Sequence, residues 1–273
     1  VLLLDGQAMA KNKEMPPSFH FKTKSNAKLK HFKAPKVDIA KIKSADQSAE
    51  LAGAAPAFAA PIGVELTPAN SGSWQDLEGN KSLWRLKVSS KEALSLNLGI
   101  TNFHLPEGAK FFFYSEDYSQ VRGPFTSYHN NDHNQLWTPV VMGEEAVLEI
   151  VVPNAVKDQL RFTVSKINHD YRGFGQRPMQ KSGSCNVDVA CQERAGWESQ
   201  IKSVAVISTG GRTFCTGFLV NNTANDQKPL FMTANHCRIN SNSAPSLVAY
   251  WNYENTSCRE PNSSASGRSG DGK

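Results

Sequence analysis

The placement of the cysteines is the feature that most restricts how this chain can fold. All five cysteines lie between residues 185 and 258, and the first 184 residues contain none. Disulfide-bonded domains of exported proteins concentrate their cysteines, so this distribution divides the 273 residues into two modules. An odd number leaves one cysteine without an internal partner. We therefore expect a cysteine-free module, then a disulfide-bonded module whose fifth cysteine pairs outside this sequence.

The cysteine-free module has the pattern of a β-sandwich. From Trp74 onwards, short runs rich in β-branched and aromatic residues are separated by turn signals such as Pro106-Glu-Gly108. The runs cover residues 83–88, 95–100, 110–114, 137–141, 146–152 and 160–164. Short strands at this spacing predict an all-β fold with an antiparallel sandwich over residues 73–172. The expected core includes Trp84, Phe111, Phe113 and Trp137.

Residues 11–72 are rich in lysine, alanine, proline and serine, which predicts a basic leader or linker with little capacity to form a core. The net charge of the chain is +5, and the lysines crowd residues 11–43. A basic arm can bind nucleic acid or an anionic surface. This one lacks the interleaved aromatics and the fold motifs of nucleic-acid readers, so we expect no nucleic-acid partner.

Residues 1–10 have the form of the end of an export signal. Val1-Leu-Leu-Leu4 is apolar but too short to span a membrane. Ala8-Met-Ala10 has the small-x-small form of a signal-peptidase site. We interpret these residues as a signal remnant that is cleaved after Ala10, and we expect a secreted protein with no membrane partner afterwards.

The disulfide-bonded module contains one segment whose residues could take part in catalysis. Phe231-Met-Thr-Ala-Asn-His236-Cys237 follows Cys215-Thr-Gly-Phe-Leu-Val220. A bond between Cys215 and Cys237 would close a loop of about 22 residues, worth roughly 3 kcal/mol, and would fix the backbone of His236. A general base needs such positioning. The alternative is a structural disulfide with a histidine that is merely its neighbour.

These strings resemble the histidine region of chymotrypsin-like serine proteases, and further strings extend the match to the mature amino-terminal part of bacterial lysyl endopeptidases. The further strings are Ser182-Gly-Ser-Cys185-Asn-Val-Asp-Val-Ala-Cys191, Leu219-Val-Asn-Asn-Thr-Ala-Asn-Asp226 and Tyr250-Trp-Asn-Tyr253. The resemblance covers residues 182–273 and, more loosely, the preceding region, which looks like the pro-region of a precursor. Asn235 departs from the motif, because alanine is usual there in the wider clan.

The resemblance implies that residues 182–273 are part of a trypsin-like serine protease domain, beginning with the first barrel of a double β-barrel. It makes His236 the catalytic base of a Ser-His-Asp mechanism. The serine and aspartate would follow residue 273, so this chain alone would be inactive. The same resemblance pairs Cys215 with Cys237 and Cys191 with Cys258, and it pairs Cys185 outside the chain. The expectation of cleavage after lysine comes from the family that the chain resembles, and the choice between lysine and arginine stays open.

The resemblance also suggests a processing site and partners. Residues 173–181 form the predicted linker, and Lys181 immediately precedes Ser182, so a lysine-specific enzyme could mature itself there. The expected partners are protein or peptide substrates, with the chain's own pro-region as an intramolecular chaperone or inhibitor. We expect no cofactor and no metal, because the cysteine spacings lack the short paired knuckles that zinc prefers.

Other residues with reactive side chains are interpreted as ordinary loop residues. These are Ser71, Ser73, Ser182, Ser184, Asp226, Asp271, His129 and His133. The alternative function is an inactive fragment whose sandwich binds carbohydrate or another surface, because exposed aromatic rings on sandwiches often bind sugars. Tyr114, Tyr118 and Tyr128 are the candidates for that role.

Overall fold

The computed structural model describes residues 14–20, 28–174 and 186–259. The α-helices are α1 (Pro17–His20), α2 (Ile39–Leu51) and α3 (Glu198–Ile201). The strands are β1 (His31–Lys33), β2 (Ala59–Leu66), β3 (Ser73–Leu77), β4 (Lys81–Ser89), β5 (Ser95–His104), β6 (Lys110–Tyr114), β7 (Val121–Phe125), β8 (Leu136–Trp137), β9 (Val141–Met142), β10 (Glu145–Pro153), β11 (Arg161–Asp170), β12 (Val204–Thr209), β13 (Thr213–Val220), β14 (Leu230–Thr233) and β15 (Val248–Trp251). Short 3-10 helices cover Ser127–His129, Asn154–Gln159, Gln192–Arg194, Asn235–Cys237 and Ala244–Ser246. Within these described ranges, no helix has both the length and the apolar character needed to cross a membrane.

Residues 14–174, called the first module, contain a β-sandwich. One sheet has the order β1-β4-β10-β6-β7 with β3 also paired to β4, and the other has the order β2-β11-β5-β8 with β9 also paired to β5. The pairs are antiparallel except for β1 with β4. Alternate side chains of the first sheet, such as Trp84 and Ile150, meet Leu98 and Ile167 of the second in one buried core. The predicted all-β fold is confirmed.

The region predicted to be a coreless leader contributes to this architecture. Strand β2 pairs with β11 and buries Ile62 and Leu66. Helix α2 begins after Asp38, whose side chain accepts a hydrogen bond from the backbone N–H of Lys41 at 3.1 Å. Such a cap satisfies an N–H group that has no partner within the helix. Over residues 28–72 the structure therefore differs from the expectation of a leader without a core, because pairing and capping give order to a segment of low hydrophobicity.

One predicted strand, residues 137–141, is divided in the structure. Strand β8 ends at Trp137 and β9 begins at Val141. Between them, Pro139 has no N–H to donate to a neighbouring strand. Thr138 compensates, because its hydroxyl accepts a hydrogen bond from the N–H of Leu98 at 2.9 Å and its own N–H donates to the Leu98 carbonyl at 3.0 Å.

Residues 186–259, called the second module, form an antiparallel sheet with the order β14-β13-β12-β15. One face of the sheet carries a small cluster in which Ala205, Ile207 and Ala249 are buried. The other face packs on the first module through a cluster that includes Phe174 and Tyr250. The described part of this sheet is open, so its closure into the first barrel of a double-barrel protease stays a prediction.

Candidate active site

The strand pairing of the second module places His236 at the end of β14. Strand β14 pairs with β13, and a single 3-10 turn, Asn235–Cys237, follows it. The ring of Phe231 lies directly over Gly217 on β13, where any Cβ atom would overlap it. Because Gly217 has no side chain, the ring of Phe231 can pack closely against β13. This packing helps to hold β14, and the histidine turn follows directly after β14.

A disulfide fixes the other side of the histidine turn. Cys215 on β13 is bonded to Cys237, and their Cα atoms are 5.9 Å apart. Cys237 is buried, and the hydroxyl of Thr233 donates to the carbonyl of Thr216 at 2.7 Å. The backbone of His236 is therefore held by β14 before it and by the cross-link immediately after it.

The imidazole of His236 is exposed to solvent, and its Nε2 atom lies 3.7 Å from the sulfur of Cys215. Potential ligand atoms of Cys215, His236 and Cys237 lie within 4.8 Å of one another. The two sulfurs are bonded to each other, however, and the thiolate is the form of cysteine that binds metals. The arrangement suits a positioned, accessible proton acceptor better than a metal site.

A second disulfide joins Cys191 to Cys258, with Cα atoms 4.5 Å apart. Near this bond, the carboxylate of Asp188 accepts hydrogen bonds from the side chain of Asn255 at 2.6 Å and from the backbone of Arg259 at 3.1 Å. The bond fastens the start of the second module to the chain that follows β15. The remaining predicted cysteine, Cys185, and the predicted processing residues Lys181 and Ser182 lie outside the described residues, as do Ser184 and Asp271.

The other acidic and imidazole candidates are engaged locally. Asp226 accepts hydrogen bonds from the side chain of Asn222 at 2.7 Å and from the backbone of Lys228 at 3.1 Å, which lowers its pKa. His129 differs from the expected solvated residue, because it is half-buried and its Nδ1 accepts a hydrogen bond from the N–H of Thr126 at 3.1 Å. Burial lowers the pKa of His129. These residues have structural partners within their own loops.

The tyrosines considered for sugar binding do not form a common surface. Tyr114 is fully buried, and its hydroxyl donates to Glu149 at 2.6 Å. Tyr118 stacks on Tyr114 with ring centroids 4.9 Å apart. Tyr128 is the exposed member of the three. A single exposed ring offers little area for stacking against a sugar.

Sequence analysis missed the contacts between the two modules. The carboxylate of Asp46, on α2, accepts a hydrogen bond from the Tyr171 hydroxyl and another from Arg212 Nη2 at 2.9 Å. Burial, followed by the hydrogen bond to Asp46, raises the pKa of Tyr171. Asp46 and Arg212 are 166 residues apart in sequence, so no local pattern reveals the pair. The neighbouring dipeptide Gly210-Gly211 was a visible turn signal.

The fold and the site define an all-β protein in which a β-sandwich precedes a disulfide-bonded sheet with an anchored histidine. Residues 29–171 match the family model described as lysyl endopeptidase N-terminal domain, and residues 179–271 match the model described as lysyl endopeptidase, C-terminal domain. The chain therefore belongs to the lysyl endopeptidase family.

A relative described as lysyl endopeptidase, from Pseudomonas aeruginosa, is 27% identical over 209 residues. The match covers 68% of this chain and 43% of the relative. The chain thus spans less than half the length of that relative.

Proposed function

We propose that the chain is the pro-region and the amino-terminal part of the catalytic domain of a secreted serine endopeptidase precursor, which hydrolyses peptide bonds after lysine. The observation that carries the proposal is His236, whose ring is exposed while β14 and the Cys215–Cys237 bond fix its backbone. Membership of the lysyl endopeptidase family supports the reaction class and the preference for lysine.

In the proposed reaction, His236 accepts the proton of a serine hydroxyl as the oxygen attacks the peptide carbonyl. The imidazolium then gives this proton to the leaving amine, and an aspartate orients the ring and stabilises its charge. A positioned base of this kind typically contributes a factor of about 10²–10⁴ in rate, provided that its backbone does not drift, which is the role of the cross-link.

The test is His236→Ala in the complete precursor, assayed on a peptide amide substrate with lysine before the scissile bond. We expect kcat to fall by at least about 10²-fold, because the proton acceptor is lost, while the circular dichroism spectrum stays unchanged. The matched control is His133→Ala, which replaces an exposed loop histidine of the first module and should leave kcat unaltered. Full activity of His236→Ala would refute the assignment.

The preference for lysine needs its own measurement. The same enzyme preparation is assayed on a pair of substrates that differ only in lysine or arginine before the scissile bond, and kcat/KM is compared. We expect the lysyl substrate to be favoured. Equal values would leave the serine endopeptidase proposal intact and would remove the lysine preference.

We also propose that processing occurs between Lys181 and Ser182. Lys181→Gln in the complete precursor should prevent release of a mature chain that begins at Ser182, as measured by amino-terminal sequencing or intact mass. Arg177→Gln is the control and should mature normally, because Pro178 follows this residue and disfavours cleavage. A mature terminus other than Ser182 in the unaltered protein would contradict the proposed site.

Secretion and assistance by the pro-region complete the proposal. Structural disulfides persist in oxidising compartments such as the periplasm or the exterior of the cell, and two are present in the second module. The first module covers one face of the catalytic-domain sheet, which suits an intramolecular chaperone or inhibitor. Fractionation of the producing bacterium should therefore recover the mature chain outside the cytoplasm, and a cytoplasmic mature chain would contradict secretion.

A further inference from the structure

The hairpin between β12 and β13 ends in direct contact with the first module. Its turn residues Gly210 and Gly211 have φ values of 61° and 62°, which glycine adopts most readily. The side-chain N–H of Asn97 donates to the carbonyl of Gly211 at 3.0 Å. A Cβ atom on Gly211 would overlap the side chains of Asn97 and Asn168, whereas one on Gly210 would meet nothing within 4 Å. Gly211 is therefore a close-approach position and Gly210 is not.

The backbone that follows the turn is paired with an extended segment of the first module. The N–H of Phe58 donates to the carbonyl of Arg212 at 2.7 Å, and the N–H of Phe214 donates to the carbonyl of Pro56 at 3.0 Å. Ala57 and Thr213 form an antiparallel bridge between these bonds. Residues 56–58 thus add a strand to the free edge at the beginning of β13, a form of recognition that uses main-chain groups.

Charge reinforces this backbone contact. Arg212 Nη2 lies 2.9 Å from a carboxylate oxygen of Asp46, which is only 3% exposed. The hydroxyl of Tyr171 donates to the other oxygen of the same carboxylate. A buried carboxylate requires such partners, so helix α2 and the end of β11 are both tied to the hairpin of the second module.

Apolar packing explains why the second module needs this contact. On its outer face the sheet fully buries Ala205, Ile207 and Ala249, and the larger rings of Phe231 and Trp251 are only partly buried against them. Its largest buried side chain, Tyr250, belongs with Val248 to the cluster shared with the first module. The first module therefore covers an apolar face of the sheet that would otherwise meet water.

Both halves of the disulfide beside His236 lie next to this interface. Cys215 directly follows Phe214, whose N–H is bonded to the first module. Cys237 lines a cavity of about 530 Å³ together with Trp137 and Lys166 of the first module. Bringing the two cysteines together costs chain entropy, because the intervening loop must close. The bond from Phe214 holds the Cys215 end of the loop beside the first module, which reduces this cost before the disulfide forms.

We infer that the first module is a template for the Cys215–Cys237 bond, and that it recognises the hairpin through the carbonyl of Gly211 and the backbone of residues 212–214. The two thiols lose two protons and two electrons as the sulfur–sulfur bond forms. An external disulfide such as oxidised glutathione accepts the electrons and is released as two thiols. The first module thereby sets the position of His236 without taking part in the oxidation.

The inference uses one part of the proposed function, namely that the first module is a pro-region, and it does not require His236 to be catalytic. Its readout is the formation of a disulfide and not hydrolysis of a substrate. A failure of the template and a failure of the proposed enzyme are therefore observed separately.

The test is oxidative refolding of the full chain with Gly211→Asn and Gly210→Asn as a matched pair. Asparagine tolerates the left-handed backbone at both positions, but only at 211 does the new side chain meet Asn97. The reduced, unfolded chain is diluted into a buffer with reduced and oxidised glutathione, and samples are alkylated and mapped by mass spectrometry. The Cys191–Cys258 bond, whose cysteines lie outside the hairpin, is the internal reference.

We expect Gly211→Asn to slow formation of the Cys215–Cys237 bond by about tenfold, comparable to the loss of one buried hydrogen bond, without slowing the Cys191–Cys258 bond. Gly210→Asn should behave like the unaltered chain. Equal rates for the two variants, or equal slowing of both bonds in Gly211→Asn, would overturn the inference.

A second variant covers the case in which Gly211→Asn prevents folding altogether. Asn97→Ala removes the donor to the Gly211 carbonyl and leaves the turn unaltered. It should slow the Cys215–Cys237 bond selectively, as in the first test. If Asn97→Ala forms both bonds at the unaltered rate, the proposed recognition of the hairpin is wrong.

Discussion

Phe174→Ala is the substitution that most directly measures how strongly the two modules are joined. The side chain of Phe174 is 1% exposed. Its ring centroid lies 4.5 Å from that of Phe58 in the first module and 4.9 Å from that of Tyr250 in the second. Its backbone N–H donates to the buried carboxylate of Asp170 at 2.9 Å. The ring therefore fills the centre of the shared cluster while the carboxylate holds its backbone.

The expected loss follows from the burial. Truncating a buried phenylalanine to alanine costs about 3–5 kcal/mol, which combines lost apolar transfer with the cavity left behind. The carboxylate of Asp170 also accepts the N–H groups of Arg172 and Gly173 at 2.8 Å, so the backbone cannot readily collapse into the space. We therefore expect about 4 kcal/mol for Phe174→Ala and about 1 kcal/mol for Phe174→Leu, which retains most of the volume.

The assay is urea unfolding of the full chain, followed by tryptophan fluorescence and by near-UV circular dichroism. With a slope near 2–3 kcal/mol per molar urea, a loss of about 4 kcal/mol lowers the midpoint of the interface transition by roughly 1.3–2 M. Phe19→Ala is the control, because that ring is 53% exposed, and it should shift the midpoint by less than about 0.4 M. Equal shifts for Phe174→Ala and Phe19→Ala would show that the shared cluster does not stabilise the junction.

Three further results are expected. Replacing both cysteines of the Cys191–Cys258 bond by serine should cost about 4 kcal/mol of unfolding free energy, because the bond closes a separation of 67 residues; an unchanged urea midpoint would contradict this. Burial lowers the pKa of His169, so the unfolded state binds its proton first, and stability should fall as pH decreases below about 6.5 until the folded pKa is passed. His169→Asn should flatten the dependence of unfolding free energy on pH between 7 and 5, and an unchanged slope would exclude this source. Gly72→Ala should lower the melting temperature more than Gly79→Ala, because both glycines have positive φ but only at 72 does a Cβ overlap Trp84; equal losses would refute the steric argument.

The strands that sequence analysis predicted are those in which apolar residues recur within a short stretch of sequence. Residues 83–88 and 146–152 became the greater part of β4 and β10, because alternate side chains on these strands face one core. Strand β2 was missed. Its sequence, Ala59 to Leu66, contains proline and glycine, which weaken the signal of the alternating Ile62, Val64 and Leu66, and the strand is ordered by pairing with β11 far along the chain. Propensity alone cannot reveal a strand that is ordered by its partner.

The candidate site also has one part that could be predicted from the sequence and another part that could not. The cross-link and the histidine lie within one short stretch, from Cys215 to Cys237, so their adjacency could be predicted from sequence through the resemblance. The contact of Asn97 with Gly211 spans 114 residues. Asparagine and a glycine pair are ordinary strand and turn residues when each is considered alone. Their contact forms only when one module docks on the other, so it could not be predicted from either segment.

The alternation of side chains along β13 explains how one module can hold the hairpin while the other face carries the site. Phe214 points towards the shared cluster, and the next residue, Cys215, therefore points to the opposite face, where it meets Cys237 and approaches His236. If the first module departs after the proposed cleavage, the cross-link remains, because both of its cysteines belong to the second module. Once formed, the covalent bond replaces the first module as the constraint on the histidine backbone. In the proposed sequence of events, a non-covalent template followed by a covalent constraint would place His236 in a sheet whose own outer-face cluster fully buries only Ala205, Ile207 and Ala249.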